Sequence, residues 1–187
     1  MLQKIMIVLV TLFPMLLPDV AANEGARIQS TSKEHNLKVS LTTGGGPFGP
    51  VKSRYRRQES ILIVVWMTNN SENSVKVCDS HTLFQDRPIL MKNGREIRYR
   101  KELIDFIDKH SDGQCEIARV PITVELPPHI PTQVGWFLLT EGPRKTGNTV
   151  WYDALEPGQY QLSIERSLAC CDGKRLQSEE ISFDVTP

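Results

Sequence analysis

The sequence predicts an all-β protein, an antiparallel β-sandwich of about eight or nine strands with one short helix or helical turn. Three observations lead there. Short segments alternate apolar and polar residues at period two, the pattern of half-buried strands. Clusters of Gly, Pro, Asn and Ser interrupt those segments at near-regular intervals. One segment, residues 101–109, sets its apolar side chains at near-helical spacing, so the strand–helix alternation of a parallel sheet is missing.

The chain opens on an export signal. Lys4 precedes an apolar run at residues 5–17, and Val20-Ala21-Ala22 supplies the small side chains that a signal-peptide cleavage site needs. The run is too short, and too broken by Pro14 and Pro18, to span a membrane. The expected organisation is a signal peptide at residues 1–22, a flexible arm at 23–36 and one domain at 37–187. Cleavage near Ala22 implies a secreted or periplasmic protein that does not span the membrane.

Within the domain the elements follow in order. Leu37-Lys38-Val39-Ser40-Leu41 alternates cleanly and predicts a strand. The run Gly44-Gly45-Gly46-Pro47-Phe48-Gly49-Pro50 ends regular structure, and no Gly-Lys-Ser/Thr follows to make it a phosphate loop. Residues 60–68, rich in β-branched side chains, predict the strongest strand; a polar turn at 69–74 returns the chain to a strand at 75–78. Asn93-Gly94 tolerates the positive φ angles of a two-residue turn, so residues 89–92 and 95–99 predict a hairpin. After the helical segment, strands are expected at 117–126, with Pro121 marking an edge or bulge, and at 134–140, 149–155, 159–167 and 180–185.

Leu155-Glu156-Pro157-Gly158-Gln159-Tyr160 runs directly into the alternating strand Gln161-Leu162-Ser163-Ile164-Glu165. This step, in which Leu155, Pro157, Gly158 and Tyr160 form a structural corner, resembles the corner of immunoglobulin-like and fibronectin-type sandwiches. The strand ending Met67-Thr68-Asn69-Asn70-Ser71, the Asn93-Gly94-Arg95-Glu96-Ile97 hairpin and Val124-Glu125-Leu126-Pro127-Pro128 point the same way. Together they resemble small bacterial exported immunoglobulin-like domains. The resemblance implies that the Tyr160 hydroxyl bonds back across the bend and that its ring closes the core. A narrower likeness is to the bacterial intracellular proteinase inhibitor family, from which the export signal is a departure.

Four cysteines, Cys78, Cys115, Cys170 and Cys171, are disulfide candidates in an exported chain. The adjacent pair at 170 and 171 favours one ordinary bridge between Cys78 and Cys115. Neither Cys-x-x-Cys nor His-x-x-x-His spacing is present, so no metal or cofactor is expected. His35, His81, His110 and His129 are scattered in turn-like contexts, and no nucleophile elbow is found; Asp105, Asp108 and Asp112 do not make a calcium loop. The chain therefore reads as non-catalytic, with convergence of His110, Asp112 and Cys115 as the feature that would say otherwise.

Lys and Arg number 22 against 22 Asp and Glu, a balance that argues against a nucleic-acid partner. Two basic stretches contain tyrosines, and Lys52, Arg54, Arg56, Arg57, Arg98 and Arg100 form a candidate surface for an anionic partner. The alternative is a charged sheet edge that resists unwanted pairing. Trp66, Trp136, Trp151 and Phe137 are expected in the core, or else as a sugar-stacking platform. The function expected is an exported binding or structural module that meets an unknown protein or glycan through a sheet edge, the 44–57 loop or the 170–174 turn. A proteinase inhibitor and a carbohydrate- or anion-binding module are the alternatives.

Overall fold

The strongest strand of the sequence becomes the spine of the first sheet. In the computed structural model, which describes residues 36–79, 85–110, 122–143, 148–169 and 174–187, this strand is β3, Ile61–Asn69. It is flanked by β1, Leu37–Thr43, and β8, Thr132–Thr140, both antiparallel to it. Ile61, Ile63, Val65 and Met67 alternate along β3 and are buried, joined by Val39 and Leu41 of β1. The described residues all belong to one compact unit, Ser32–Pro187.

The second sheet has the order β2-β11-β9-β5-β6. Its members are β2, Arg54–Arg56; β5, Asp86–Lys92; β6, Arg95–Glu96; β9, Gly158–Ser167; and β11, Ile181–Thr186. The short β10, Arg175–Gln177, also pairs with β9. The pairing of β2 with β11 is parallel and that of β5 and β11 with β9 antiparallel. A third sheet pairs β4, Val75–Asp79, with β7, Ile122–Leu126. Buried residues of all three sheets join one apolar cluster that includes Ile63, Val77, Leu90, Leu126, Leu162 and Phe183.

The fold class is thus all-β, with eleven strands among the described residues against the eight or nine expected. The additional ones are β2, which lies inside the expected 44–57 loop, and β10. The Asn93-Gly94 turn has φ of 52° and 73°, as a two-residue hairpin requires. The helical segment is α1, Lys101–His110, which buries Leu103 and half-buries Ile107. Among the described residues no helix is long and apolar enough to cross a membrane.

One expected strand is absent. Residues 149–155 make a single parallel bridge, Val150 with Leu138, and two backbone bonds, Trp151 N–H to Leu138 O at 3.3 Å and Tyr152 N–H to Leu139 O at 2.9 Å. Val150, Trp151 and Tyr152 are all buried in succession. A strand turns every second side chain to the opposite face, so three consecutive buried residues on a sheet rim favour an irregular segment.

The aromatic residues also divide differently from the expectation. Trp151 and Phe137 are buried, with ring centroids 6.1 Å apart. Trp66 and Trp136 are half-buried on the opposite face of the β1-β3-β8 sheet, where Phe48 lies against Trp136 at 5.4 Å. Val64, the register partner of Trp136, is fully buried on that face. Trp66 Nε1 donates to Thr42 Oγ1 at 2.9 Å, and that hydroxyl donates to Gly44 O at 2.7 Å, so the loop is fastened to the sheet it covers.

Candidate partner-binding surface

The glycine-rich loop and β2 together form residues 44–57, and backbone bonding fixes their shape. Gly44 N–H donates to Leu62 O at 2.9 Å, Gly45 N–H to Gly49 O at 2.8 Å and Lys52 N–H to Thr43 O at 3.1 Å. The Thr43 hydroxyl returns a bond to Lys52 O. Gly44 has φ of 76°, and a Cβ there would lie 2.7 Å from Pro50 O, so this position requires glycine on both counts. Tyr55 anchors the other end, buried edge-on against Phe183 at 6.0 Å.

The outer edge of β2 is closed by one residue. Glu59 Oε2 accepts from Arg56 N–H at 3.0 Å while Glu59 N–H donates to Arg56 O at 3.0 Å. Lys52 Nζ donates to Glu59 Oε1 at 2.5 Å. The Lys52 side chain and the Arg56 N–H together hold the Glu59 carboxyl below its usual range. An edge strand with both backbone groups occupied cannot recruit another strand at that point.

The six predicted cations separate into two groups. Lys52 pairs with Glu59, Arg57 with Glu156 at 2.7 Å, and Arg100 with Glu102 at 3.3 Å and Asp153 at 3.9 Å. Arg54, Arg56 and Arg98 are exposed, and none has an ion-pair partner among the described residues. Arg54 and Arg56 flank the buried Tyr55 on a strand, so both project from the face opposite the core. Arg98 and Arg100 stand apart from them, in the irregular segment after β6, which ends at Glu96 rather than at Tyr99.

The corner residues meet as follows. Tyr160 Oη donates to Glu156 O at 2.6 Å, its ring stacks on Phe183 at 5.6 Å, and Leu155 is buried. Lys92 was not singled out in the sequence, yet its Nζ donates to Pro157 O at 2.9 Å and lies over the Tyr160 ring at 5.1 Å. Its stem passes so close that a Cβ on Gly158 would sit 2.7 Å from Lys92 Cε. No sequence signal marks Lys92, because the contact crosses between strands.

A second polar centre was also invisible in the sequence. Arg166 Nη1 donates to both carboxylate oxygens of Asp86, at 2.8 and 2.7 Å, with both side chains buried. Burial pushes the Asp86 carboxyl up, against the pull of Arg166. Gln85 Nε2 donates to Cys78 O at 2.6 Å and Ser167 O at 3.1 Å, stitching β4 to the end of β9. The Cys78 sulfur is disulfide-bonded. Cys115, Cys170 and Cys171 lie outside the described residues, as do His35, His81, Asp112, the 170–173 turn and residues 1–35.

A cavity of about 400 Å³ opens beside α1, with Arg100, Glu102, Leu103, Phe106 and Val150 among its lining residues. Arg100 and Glu102 face each other in it and cancel in charge. His129 is exposed in a turn with its Nε2 3.5 Å from Glu72, and Asp105 and Asp108 are exposed on α1. Among the described residues no group of three or more His, Cys, Asp or Glu side chains is placed to hold a metal ion. No family model and no curated protein matches the chain.

Proposed function

We propose that the protein is an exported, non-catalytic binding module on an immunoglobulin-like sandwich body, with the 44–57 loop as its recognition element. The observation that carries this reading is a contrast within one segment. The loop backbone is locked by bonds to β1, β3 and Glu59, while Arg54 and Arg56 project from it without an acid partner among the described residues. A recognition loop that is already ordered loses little conformational freedom on binding, so its contacts translate efficiently into affinity. Charged side chains held on a rigid element also steer an oppositely charged partner.

Capture from the exported fraction of the source cells tests the reading. The full chain retains a partner, the Arg54→Ser/Arg56→Ser double variant loses it, and a Lys101→Ser/Lys109→Ser control on α1 keeps it. Equal retention by all three proteins, or retention by none, would overturn the assignment. For the cysteines we infer the pairing Cys78–Cys115. Thr123 lies opposite Cys78 in the β4–β7 register, eight positions after Cys115 in the chain. Non-reducing peptide mapping decides it, and a Cys78 peptide joined to Cys170 or Cys171 would contradict the pairing.

A further inference from the structure

We propose that the partner is an acidic polysaccharide lying across β2, β11 and β9 on the face away from the core. This inference rests on the loop reading above and gives it a ligand chemistry. On a strand, residues two apart share a face about 7 Å from one another, so Arg54 and Arg56 form a cationic pair at roughly the spacing of anionic groups along a charged sugar chain. In register beside them stand Asp184 and Thr186 of β11, and beyond these Gln159 of β9. Ser182 and Gln161 form the next row, with Gln161 Nε2 donating to Glu180 Oε1 at 2.8 Å.

The composition of that face selects among anionic partners. The exposed large apolar side chains of the described residues are Val51, Ile104, Phe106, Ile122 and Ile130, and none lies on these three strands. A protein partner would ordinarily bury aromatic or aliphatic anchors, for which this face offers no matching contact. Amides and hydroxyls beside two guanidinium groups instead match a chain that carries hydroxyls along its length and carboxylates or sulfates at intervals. Arginine suits such groups because its planar fork binds two oxygens at once. Asp184, the register partner of Arg54, is the acidic side chain that opposes binding in that row, and Glu59 and Glu156 neutralise Lys52 and Arg57 nearby.

Titration of the full chain with four polymers tests this: polygalacturonate, dextran sulfate, uncharged dextran and polyglutamate. At low salt one or both acidic polysaccharides bind, and which of them does identifies the anionic group; dextran does not. Arg54→Ser/Arg56→Ser weakens binding about tenfold, and screening by 1 M salt removes most of what remains. Asp184→Asn tightens it, a gain that loss of folding could not produce. Polyglutamate binding as tight as the better polysaccharide would overturn the glycan assignment in favour of an acidic protein and leave the loop reading standing. Failure of both acidic polysaccharides, or insensitivity to all three substitutions, would overturn the inference itself.

Discussion

Pro88 lacks an N–H, and in β5 it stands opposite Ile164 of β9, outside the Met91–Lys92 stretch that pairs with β6. Its carbonyl is nonetheless occupied twice, by the Tyr99 hydroxyl at 2.8 Å and the Tyr152 hydroxyl at 3.0 Å. Burial pushes the Tyr99 hydroxyl up to about 12 and raises that of Tyr152 as well, so both remain donors at physiological pH. Either tyrosine satisfies the carbonyl without the other. We therefore expect Tyr99→Phe or Tyr152→Phe to cost about 0.5 kcal/mol alone, and the double variant about 1–3 kcal/mol, more than the sum, as urea denaturation would reveal. Strict additivity would contradict the shared acceptor. The Asp86–Arg166 pair offers a second residue-scale test. Arg166 Nε is buried without an acceptor among the described residues, so the pair is incompletely satisfied. Arg166→Met should cost roughly 3–5 kcal/mol by stranding Asp86, and adding Asp86→Leu should restore most of it. Asn69 shows how a residue-level motif can mislead. Asn69-Asn70-Ser71 fits a glycosylation acceptor, but Asn69 is fully buried and its Nδ2 donates to Asn73 O at 2.8 Å and Leu126 O at 3.1 Å.

Among the elements, β2 loses an edge contact in acid. Lys52 and the Arg56 N–H favour the ionised Glu59 carboxylate, so its pKa lies below the ordinary 4.5. The stabilisation is complete above pH 4.5 and is lost as the pH falls through the lowered value. Amide exchange at Arg56 should therefore accelerate below that range, beyond the intrinsic pH dependence, and Glu59→Gln should show the faster exchange already at neutral pH. Unaltered protection in the variant would mean that Glu59 does not close the edge. The same element marks how far the sequence was legible. Strands with period-two alternation, such as β1 and β9, declare their buried face through it, β3 declares itself as a strand by its run of β-branched residues without showing which face is buried, and the Asn93-Gly94 turn declares its own geometry. Three-residue β2 has too few positions for a period to show, since Tyr55 alone carries the signal. Residues 149–155 gave the opposite error: Val150, Trp151 and Tyr152 have strand propensity, but their burial comes from packing on β8 and against Tyr99, whose ring is 5.0 Å from Trp151. Contacts between distant segments also explain why Lys92, Glu59 and the Asp86–Arg166 pair could not be read in advance.

For the whole molecule, sheets that meet in one apolar cluster supply a rigid body on which loops can be held in place. Balanced net charge means that recognition of an anion has to come from local placement, as at Arg54 and Arg56, rather than from the overall field. Position-specific photo-crosslinking in the exported fraction is the most direct measurement of that claim. Val51 in the 44–57 loop is 63% exposed, and Ile122 and Ile130 elsewhere are 66% and 57% exposed, so the three positions differ in location far more than in access. A photoreactive side chain at position 51 should yield a discrete adduct that the Arg54→Ser/Arg56→Ser background abolishes, while positions 122 and 130 yield little. Equal labelling at the three positions, or an adduct confined to 122 or 130, would contradict the account.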